Sequence, residues 1–521
     1  MSSPLLDLQN ISAGYGDKKV ISDITFSLSR GEILAVVGES GCGKSTMLKA
    51  ITGLAATGVS VSAGSIIFED RNVLMMKGEE RRHMLGSEMC IVFQNPSTTL
   101  NPIRQIRKQF LETIRSHKNI EKKEALAIIV AAFEKLGLEN PERILESCPF
   151  ELSIGMCQRV CLALAMVMEP KLILADEVTS ALDVVSQRQI MKEFLLLRES
   201  YGSSIILVTH NIILAEQIAD KTAIMLDGHI VEYGKTEQVL TMPEHSYTQS
   251  LIADAQRLPT EFTSREFPKV LLEADKISRR YSGKGGEVTA LDNISFNLRK
   301  GEILGVVGES GNGKSTLARL LLFLESPNSG EICLEGIPLS ALRQKDSREL
   351  YRRGQMVFQN PVSSFAPRQS IRSSIRDTLK NLTDIKNTKE ADVRIDELME
   401  LVGLESQMAD RYPFQLSGGQ CQRAAIARAV AVNPEFIICD ETTSALDVTT
   451  QAQIIKLLCS LVQRFEMSMV FISHDIALVG SICDRILVMK DGKCVECGDV
   501  GSVIMNPNSE YTKMLLEPAS D

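Results

Sequence analysis

Short, continuous runs of apolar residues recur along the chain at intervals that leave room for helices between them. Residues 33–37 and 303–307 are apolar runs of this kind, and each stands directly before a glycine-rich segment. A short continuous apolar run is typical of a strand that is buried on both faces of a parallel sheet. Further candidate strands of the same character are residues 172–175, 205–208, 436–439 and 469–472.

Other segments have apolar residues at every third or fourth position, which is the spacing of an amphipathic helix. Residues 126–136 and 395–402 follow this spacing, and Gly137 and Gly403 stand after them as stop signals. Both segments lie between candidate strands. The pattern therefore predicts an α/β fold in which a helical subdomain is inserted into a mainly parallel sheet, and it predicts this fold twice.

The sequence is a repeat of itself. Residues 31–46 read GEILAVVGESGCGKST, and residues 301–316 read GEILGVVGESGNGKST. An offset that stays nearly constant over the whole length indicates a duplicated domain rather than a shared short motif. Four pairs of identical residues are separated by 264 or 265 positions along the chain: Gln94 and Gln359, Ser153 and Ser417, Asp176 and Asp440, and His210 and His474.

The boundary between the copies is predicted in residues 256–269, which read QRLPTEFTSREFPK. This segment has two prolines, many polar residues and no apolar periodicity, as linkers between domains do. We therefore expect a first domain over residues 1–255, a linker over 256–269 and a second domain over 270–521.

Composition and charge exclude several classes of protein. Hydrophobic residues make up 44% and charged residues 24% of the 521 residues, which is an ordinary globular balance. The 57 Lys and Arg against 66 Asp and Glu give a net charge of −9, which argues against a nucleic-acid backbone as the main partner. No apolar run approaches the roughly 18 residues of a membrane span, and the N-terminus does not read as a secretory signal. We expect an intracellular chain whose scattered cysteines are reduced.

Two glycine-rich loops match the phosphate-binding pattern G-x-x-x-x-G-K-S in full. Each follows a predicted strand and precedes a helical run, residues 46–54 and 316–324, which is the context that the motif requires. Glycines let backbone N–H groups surround phosphates at a helix N-terminus, the lysine reaches the β- and γ-phosphates, and the serine hydroxyl binds magnesium. The defining residues are Gly38, Gly43, Lys44 and Ser45, and Gly308, Gly313, Lys314 and Ser315.

A carboxylate pair, Asp-Glu, ends a predicted strand at residues 176–177 and again at 440–441. The aspartate suits magnesium coordination, normally through water, and the glutamate is placed to orient or activate an attacking water. One such pair alone would equally fit a surface turn. Both pairs are followed by Ser-Ala-Leu-Asp, however, and in each half a histidine, His210 or His474, ends a later strand. Together these features indicate a catalytic phosphate site.

Both halves resemble the nucleotide-binding domains of ABC transporters over essentially the whole chain. The second half has the family signature Leu-Ser-Gly-Gly-Gln at residues 416–420. The resemblance implies two fused P-loop ATPase domains, with ATP and Mg²⁺ as cofactors and hydrolysis coupled to transport. Segments similar to those of oligopeptide, dipeptide and nickel importers are residues 93–96, 100–102, 243–248, 358–361, 367–368, 412–415 and 507–512.

The resemblance also implies roles for single residues. Catalytic roles fall to Glu177 and Glu441, to His210 and His474 at the γ-phosphate, and to Gln94 and Gln359 as sensors of magnesium and water. The implied Mg²⁺ ligands are Ser45, Gln94, Asp176, Ser315, Gln359 and Asp440. The implied ATP contacts come from two adenine-stacking tyrosines, the glycine loops and the signatures: Tyr15, Gly38, Ser40, Gly41, Gly43, Lys44, Ser45, Thr46, Ser153, Gly155, Tyr281, Gly308, Ser310, Gly311, Gly313, Lys314, Ser315, Thr316, Ser417, Gly418, Gly419 and Gln420. The alternative to adenine stacking is that each tyrosine is an ordinary half-buried residue near a turn.

In this family, ATP sites are composite: the glycine loop of one half works with the signature of the other. The site built on the first glycine loop would then use the intact second signature. The site built on the second loop would use the first-half signature, in which Ile154 and Met156 replace a glycine and a glutamine. A branched side chain there should hold the helix start away from the γ-phosphate, so we expect slow hydrolysis at the second site. The alternative is that the backbone adjusts and both sites are active.

Cys42 lies inside the first glycine loop, close to a helix N-terminus and to Lys44. Both neighbours favour a thiolate, so we expect a lowered pKa for this thiol. The second loop has Asn312 at the same place, so a catalytic role for the cysteine is not expected.

The resemblance implies an ATPase subunit of a solute importer. Its partners would be two transmembrane permease subunits and, through them, an extracytoplasmic solute-binding protein, with no nucleic acid. The chain would be peripheral, at the cytoplasmic face of the inner membrane, and the solute would be a peptide, or nickel or a metal chelate. The alternative is a soluble tandem ATPase that acts on ribosomes; such proteins carry a long charged helical linker, whereas residues 256–269 are short and contain prolines.

Overall fold

In each half, the strand before the glycine loop lies inside a mainly parallel sheet. The computed structural model describes residues 3–39, 41–54, 57–93, 96–179, 184–255, 267–283, 286–443, 446 and 448–516. The chain divides into two compact units near residue 256. Most of the predicted linker lies outside the described residues, and the boundaries of the linker remain a prediction.

The first unit alternates strands and helices after an initial β-hairpin. Its strands are β1 (Leu6–Tyr15), β2 (Lys18–Leu28), β3 (Ile33–Val37), β4 (Val59–Phe68), β5 (Arg71–Asn72), β6 (Met89–Val92), β7 (Leu172–Asp176), β8 (Ser204–Thr209), β9 (Lys221–Leu226) and β10 (His229–Lys235). Its α-helices are α1 (Lys44–Thr52), α2 (Gly78–His83), α3 (Pro96–Thr99), α4 (Ile106–His117), α5 (Lys122–Lys135), α6 (Pro141–Glu146), α7 (Ile154–Met168), α8 (Val184–Tyr201), α9 (Ile212–Ile218), α10 (Thr236–Thr241) and α11 (Ser246–Ala255).

The described strands of the first unit form two sheets. One is six-stranded in the order β10-β9-β3-β8-β7-β6, parallel except for β10, and the other is antiparallel in the order β2-β1-β4-β5. The strand β3 is buried on both faces: Leu34 and Val36 join a core with the antiparallel sheet, whereas Ala35 and Val37 join a core with α9. Burial on both faces explains why its sequence is apolar at every position.

The second unit repeats this arrangement. Its strands are β11 (Val270–Gly283), β12 (Gly286–Arg299), β13 (Ile303–Val307), β14 (Ser329–Leu334), β15 (Ile337–Pro338), β16 (Gly354–Val357), β17 (Phe436–Asp440), β18 (Ser468–Ser473), β19 (Arg485–Lys490) and β20 (Lys493–Asp499). Its α-helices are α12 (Lys314–Leu321), α13 (Leu339–Arg353), α14 (Ile371–Leu382), α15 (Thr388–Leu401), α16 (Gly418–Val430), α17 (Val448–Phe465), α18 (Ile476–Ile482), α19 (Val500–Met505) and α20 (Glu510–Leu516). Its described sheets have the orders β16-β17-β18-β13-β19-β20 and β12-β11-β14-β15.

The inserted helical subdomain is present in both units, as the sequence pattern predicts. The two periodic segments correspond to α5 and α15, which end one residue before the predicted C-terminal ends and begin four and seven residues before the predicted starts. In the first unit, Phe110 of α4 meets Phe133 of α5 edge to face, with ring centroids 5.4 Å apart. Among the described residues, no helix is long and apolar enough to cross a membrane.

Candidate nucleotide-binding sites

Neighbouring parallel strands bring the predicted site residues of each unit to one edge of its sheet. In the first unit β3, β8 and β7 lie side by side; the glycine loop follows β3, His210 follows β8, and Asp176 ends β7. In the second unit β13, β18 and β17 place the loop, His474 and Asp440 in the same way. This edge, at the carboxyl ends of the strands, is where open α/β sheets bind ligands. Gln94 and Ser40 lie outside the described residues.

Each glycine loop surrounds a buried lysine ammonium. The Lys44 Nζ donates to the carbonyls of Gly38 and Glu39, both at 2.7 Å, and lies 3.5 Å from a Glu177 carboxylate oxygen. Lys314 donates to the corresponding carbonyls of the second loop at 2.7 and 2.9 Å. The ammonium is thus held at the start of α1 or α12, where a triphosphate would be attracted both by this charge and by the helix N-terminus.

The backbone conformation at the second glycine of each motif is one that favours glycine. Gly43 has φ 104° and Gly313 has φ 90°, in the left-handed region that side chains disfavour. A Cβ at Gly313 would lie 2.2 Å from the carbonyl oxygen of Ala290. The remaining loop positions follow the same shape: Gly41 and Gly311 also have positive φ, Ser310 is exposed, and Thr46 and Thr316 lie in the first turns of the helices.

The serine and aspartate expected to bind magnesium are in contact in both units. Ser45 Oγ donates to Asp176 Oδ1 at 2.8 Å, and Ser315 Oγ donates to Asp440 Oδ1 at 3.2 Å. Burial raises the pKa of both aspartates, and the serine hydrogen bonds only partly oppose it. A hydroxyl beside a carboxylate in a buried position offers the hard oxygen ligands that Mg²⁺ prefers, so these residues fit the ion.

The glutamate after each aspartate has an unusual backbone. Glu177 has φ 46° and Glu441 has φ 45°, although neither is glycine. Their N–H groups donate at 3.0 Å to the carbonyls of Val208 and Ile472 on the neighbouring strands, which holds this conformation in place. A left-handed conformation costs about 1–2 kcal/mol for such a residue. Strain of this kind is often found at functional sites, and no sequence signal predicted it.

In the second unit the predicted glutamine reaches the catalytic glutamate. Gln359 Nε2 donates to Glu441 Oε2 at 2.8 Å, and Glu441 lies 3.4 Å from Lys314 Nζ. The lysine, the glutamate and the glutamine therefore form one connected group. A glutamine in this place orients the carboxylate on which water activation would depend.

The two signatures begin their helices differently. Ser417 Oγ accepts the N–H of Gln420 at 3.3 Å, and Gln420 Oε1 accepts the N–H of Ser417 at 3.0 Å, which completes a capping box at α16. Ser153 accepts the N–H of Met156 at 3.2 Å at the start of α7. Methionine has no oxygen to return the second bond, so one bond of this cap is missing in the first unit.

The two tyrosines expected at adenine have different surroundings. Tyr281 donates to Glu325 at 2.5 Å, and the guanidinium of Arg279 lies 4.9 Å from its ring. Tyr15 is exposed and has a weaker contact, since the Lys49 ammonium lies 5.9 Å from its ring. The second tyrosine is therefore better held in place. No sequence motif indicated Arg279 or Glu325.

The expectation of a lowered pKa for Cys42 is wrong. The side chain is buried, and burial raises the pKa of this thiol more than the Lys44 ammonium, 3.9 Å away, lowers it. A nearby cation lowers a thiol pKa, whereas burial in apolar surroundings raises it, and the larger effect decides the direction. Here the protein surrounds the sulfur, and the neutral form is favoured.

The Cys42 thiol should react slowly with labelling reagents, at a rate that depends on pH. Because the raised pKa leaves the thiol protonated at neutral pH, reaction with a bulky maleimide should be slow at pH 7 and should accelerate as pH rises. Bound ATP should protect the thiol, and labelled protein should lose the first site. Mass spectrometry of the modified peptide measures this, with Cys42→Ser as the control. Fast labelling at pH 7 would contradict the burial argument.

Comparison with known proteins gives consistent matches across both units. A family described as "ABC transporter" matches residues 21–180 and 291–444, and one described as "Oligopeptide/dipeptide transporter, C-terminal region" matches residues 231–270. The chain is 37% identical over 530 residues to the peptidoglycan transport ATP-binding protein YejF of Agrobacterium fabrum, covering 99% of this chain and 97% of that protein. It is 37% identical over 552 residues to the glutathione import ATP-binding protein GsiA of Escherichia coli, covering 97% of this chain and 88% of that protein.

Proposed function

The chain belongs to the ABC transporter family, in its peptide-importer subgroup, and we propose that it is the peripheral ATPase that docks on two permease subunits at the cytoplasmic face of the membrane. It hydrolyses ATP, with Mg²⁺ as the metal, to power solute import. Its two relatives are named as a transport and an import ATP-binding protein, so the alternative of an ATPase acting on ribosomes is rejected.

The observation that carries the proposed sites is the group of side chains at the sheet edge of each unit. In the first unit, Lys44 would exchange its two carbonyl contacts for phosphate oxygens. Ser45 and Asp176 would hold Mg²⁺, which neutralises phosphate charge when it is bound. Glu177, held close to Lys44 by its strained backbone, would accept a proton from the attacking water as ADP and inorganic phosphate form.

We propose that the two sites are unequal. The intact signature at residues 416–420 would serve the first glycine loop, and the altered one at residues 152–156 would serve the second. The missing return bond at Met156 supports this view, because it leaves the first-unit signature helix less firmly capped than its counterpart. The first site would therefore carry most of the hydrolysis.

Each unit has an exposed apolar patch beside its helical subdomain. In the first unit this patch consists of Ile103, which is 81% exposed, and Phe150, which is 70% exposed. A hydrogen bond from the Ile106 N–H to the Ser147 carbonyl links the two segments that carry them. Apolar side chains of this size and exposure suggest a protein partner. We propose that the patch receives a cytoplasmic segment of a permease.

The second unit has a corresponding patch, formed by Tyr412 and Phe414. The rings of Tyr412 and Phe414 are stacked, with centroids 5.7 Å apart, and Phe414 is 68% exposed. Its composition differs from that of the first patch, which is consistent with two different permeases.

Purification from detergent-solubilised membranes tests the docking proposal. Wild-type chain should bring down two polytopic permeases. The double variant Ile103→Asp with Phe150→Asp should lose one of them, because each substitution places a charge where an apolar side chain would be buried against the permease. Met242→Asp is the matched control, since Met242 is 68% exposed at the end of α10, outside the patch. Mass spectrometry of the purified complex gives the result. Retention of both permeases by the double variant, or their loss from the control, would contradict the assignment of the patch.

For the solute, we propose a peptide or a peptide-like molecule. The matched C-terminal region bears the name of oligopeptide and dipeptide transporters, and the two relatives are named for glutathione and peptidoglycan. Nickel or a metal chelate, the other solute class expected from the sequence, has no such support. Titration of the solute-binding protein that accompanies the permeases, with di- to pentapeptides and with Ni²⁺, distinguishes the two.

A further inference from the structure

The last helix of each unit sends a tyrosine to the glycine loop. In the second unit the Tyr511 hydroxyl accepts the backbone N–H of Glu309 at 3.0 Å, and in the first unit the Tyr247 hydroxyl accepts that of Glu39 at 3.2 Å. Each of these N–H groups belongs to the residue directly after the first glycine of its loop. The contact therefore fixes the loop where it leaves the strand.

In the second unit an asparagine extends this contact into a network. Asn312 Nδ2 donates to the Tyr511 hydroxyl at 3.0 Å and to the Met489 carbonyl at 3.1 Å, and its Oδ1 accepts the N–H of Asp491 at 3.2 Å. Asn312 is 8% exposed and Tyr511 is 5% exposed. Buried hydrogen bonds of this kind hold a single geometry, because any displacement leaves polar atoms without partners.

The first unit cannot form this network. Cys42 occupies the position of Asn312, and a thiol has neither the two amide donors nor the strong acceptor that the bridge requires. Tyr247 is also less buried than Tyr511. The hydrogen bond from the Glu39 N–H to the Tyr247 hydroxyl, at 3.2 Å, therefore has no amide bridge from residue 42 beside it and is slightly longer than its counterpart in the second unit.

A carboxylate caps the start of the tyrosine-bearing helix in both units, so this support is shared and does not distinguish them: in the first unit Glu232 accepts the N–H groups of Glu244 and His245 at 3.0 and 3.2 Å. In the second unit the Glu496 carboxylate on β20 accepts the N–H groups of Asn508 and Ser509 at 2.9 and 3.1 Å and the Thr512 hydroxyl at 2.6 Å. These bonds fix the start of α20. Each helix can thus act as a rigid support for its loop.

We propose that Tyr511 and Asn312 are positioning residues that keep the second glycine loop in its phosphate-binding shape, so that the second site binds nucleotide more tightly and releases it more slowly than the first. This inference rests on the proposed role of the two loops in binding ATP. A loop that is already ordered loses less conformational entropy when its N–H groups surround a phosphate. The two units would then differ in affinity through the support of their loops, independently of their signatures.

Binding of mant-ATP with Mg²⁺ to the full chain tests the proposal. Lys44→Ala confines binding to the second loop, and in this background Tyr511→Phe and Asn312→Cys should each raise Kd by about three- to tenfold, mainly through faster dissociation. Because both act on one network, the double variant should lose less than the product of the single effects. If the two residues only stabilised the fold, the variants would lower the thermal unfolding midpoint, and their effects on Kd would not be coupled in this way. Tyr351→Phe, in α13 of the same unit, is the control.

The exchange in the first loop gives the reciprocal test. In a Lys314→Ala background, Cys42→Asn should lower the Kd for mant-ATP, because an asparagine there can reach Tyr247 and the carbonyl of Met225, the counterpart of Met489. An unchanged second-site Kd in both Tyr511→Phe and Asn312→Cys would overturn the inference. Failure of wild-type chain and both lysine backgrounds to bind mant-ATP would instead reject the proposed ATP sites.

Discussion

Replacing Glu177 with glutamine will abolish ATP turnover by this chain, whereas Glu441→Gln will leave most of it in place. A glutamine keeps the shape of the side chain but cannot accept a proton from water, and loss of such a general base lowers a rate by about 10²- to 10⁴-fold. The two glutamates have the same backbone strain and the same distance to their lysines within 0.1 Å. At saturating ATP, where a difference in affinity has no effect, a difference in turnover between the variants would therefore be attributed to the signatures that we propose complete the two sites.

Phosphate release by the complex with its permeases, reconstituted in lipid vesicles, measures this difference. Binding of mant-ATP to both variants is the control, because the substitution should spare binding while it removes turnover. Equal losses from Glu177→Gln and Glu441→Gln would mean that the backbone adjusts around Ile154 and that both sites hydrolyse ATP.

Restoring the first signature will return turnover to the Glu177→Gln protein. Ile154→Gly with Met156→Gln should raise its rate by roughly 100- to 1000-fold, which is the usual effect of one well-placed N–H donor at a developing charge. In the intact signature, a Cβ at Gly418 would meet only a Leu446 side-chain atom, at 3.8 Å. Packing within the unit thus leaves room for a side chain there, and the need for glycine would arise from close approach of the γ-phosphate.

In the restored signature, the glutamine introduced at position 156 should stabilise the start of the helix, which is a separate effect from that of the glycine at position 154. Met156→Gln alone should complete the capping box seen between Ser417 and Gln420, which is worth about 0.5–2 kcal/mol to a helix start. It should raise turnover much less than Ile154→Gly does. The decisive control carries the restored signature together with Glu177→Gln and Glu441→Gln, and it must stay inactive. Activity in that control, or no gain in the restored protein, would contradict an active second site.

The sequence by itself determined the duplicated architecture and indicated the members of the proposed catalytic group. A phosphate loop needs glycines, a lysine and a serine at fixed spacing, and a doubly covered parallel strand needs a short apolar run, so both features are encoded in a few adjacent residues. The structure places Lys44, Ser45, Asp176 and Glu177 at one sheet edge.

The antiparallel sheets were not visible in the same pattern. The β1–β2 register shifts between Leu8 and Ile11 and again between Ile11 and Ala13. Such bulges interrupt the alternation of apolar and polar residues by which a half-buried strand is recognised. The periodicity of these strands is therefore lost even though their apolar residues are buried.

Only the tertiary structure decided the raised pKa of Cys42, the strained glutamates and the support of the second loop by Tyr511. The hydrogen bond from Glu309 to Tyr511 joins residues 202 positions apart, and the pKa of Cys42 depends on how completely other segments exclude water from its sulfur. Motifs specify which residue types stand next to each other along the chain. Desolvation and long-range hydrogen bonds depend on distances between segments that come together only when the chain folds.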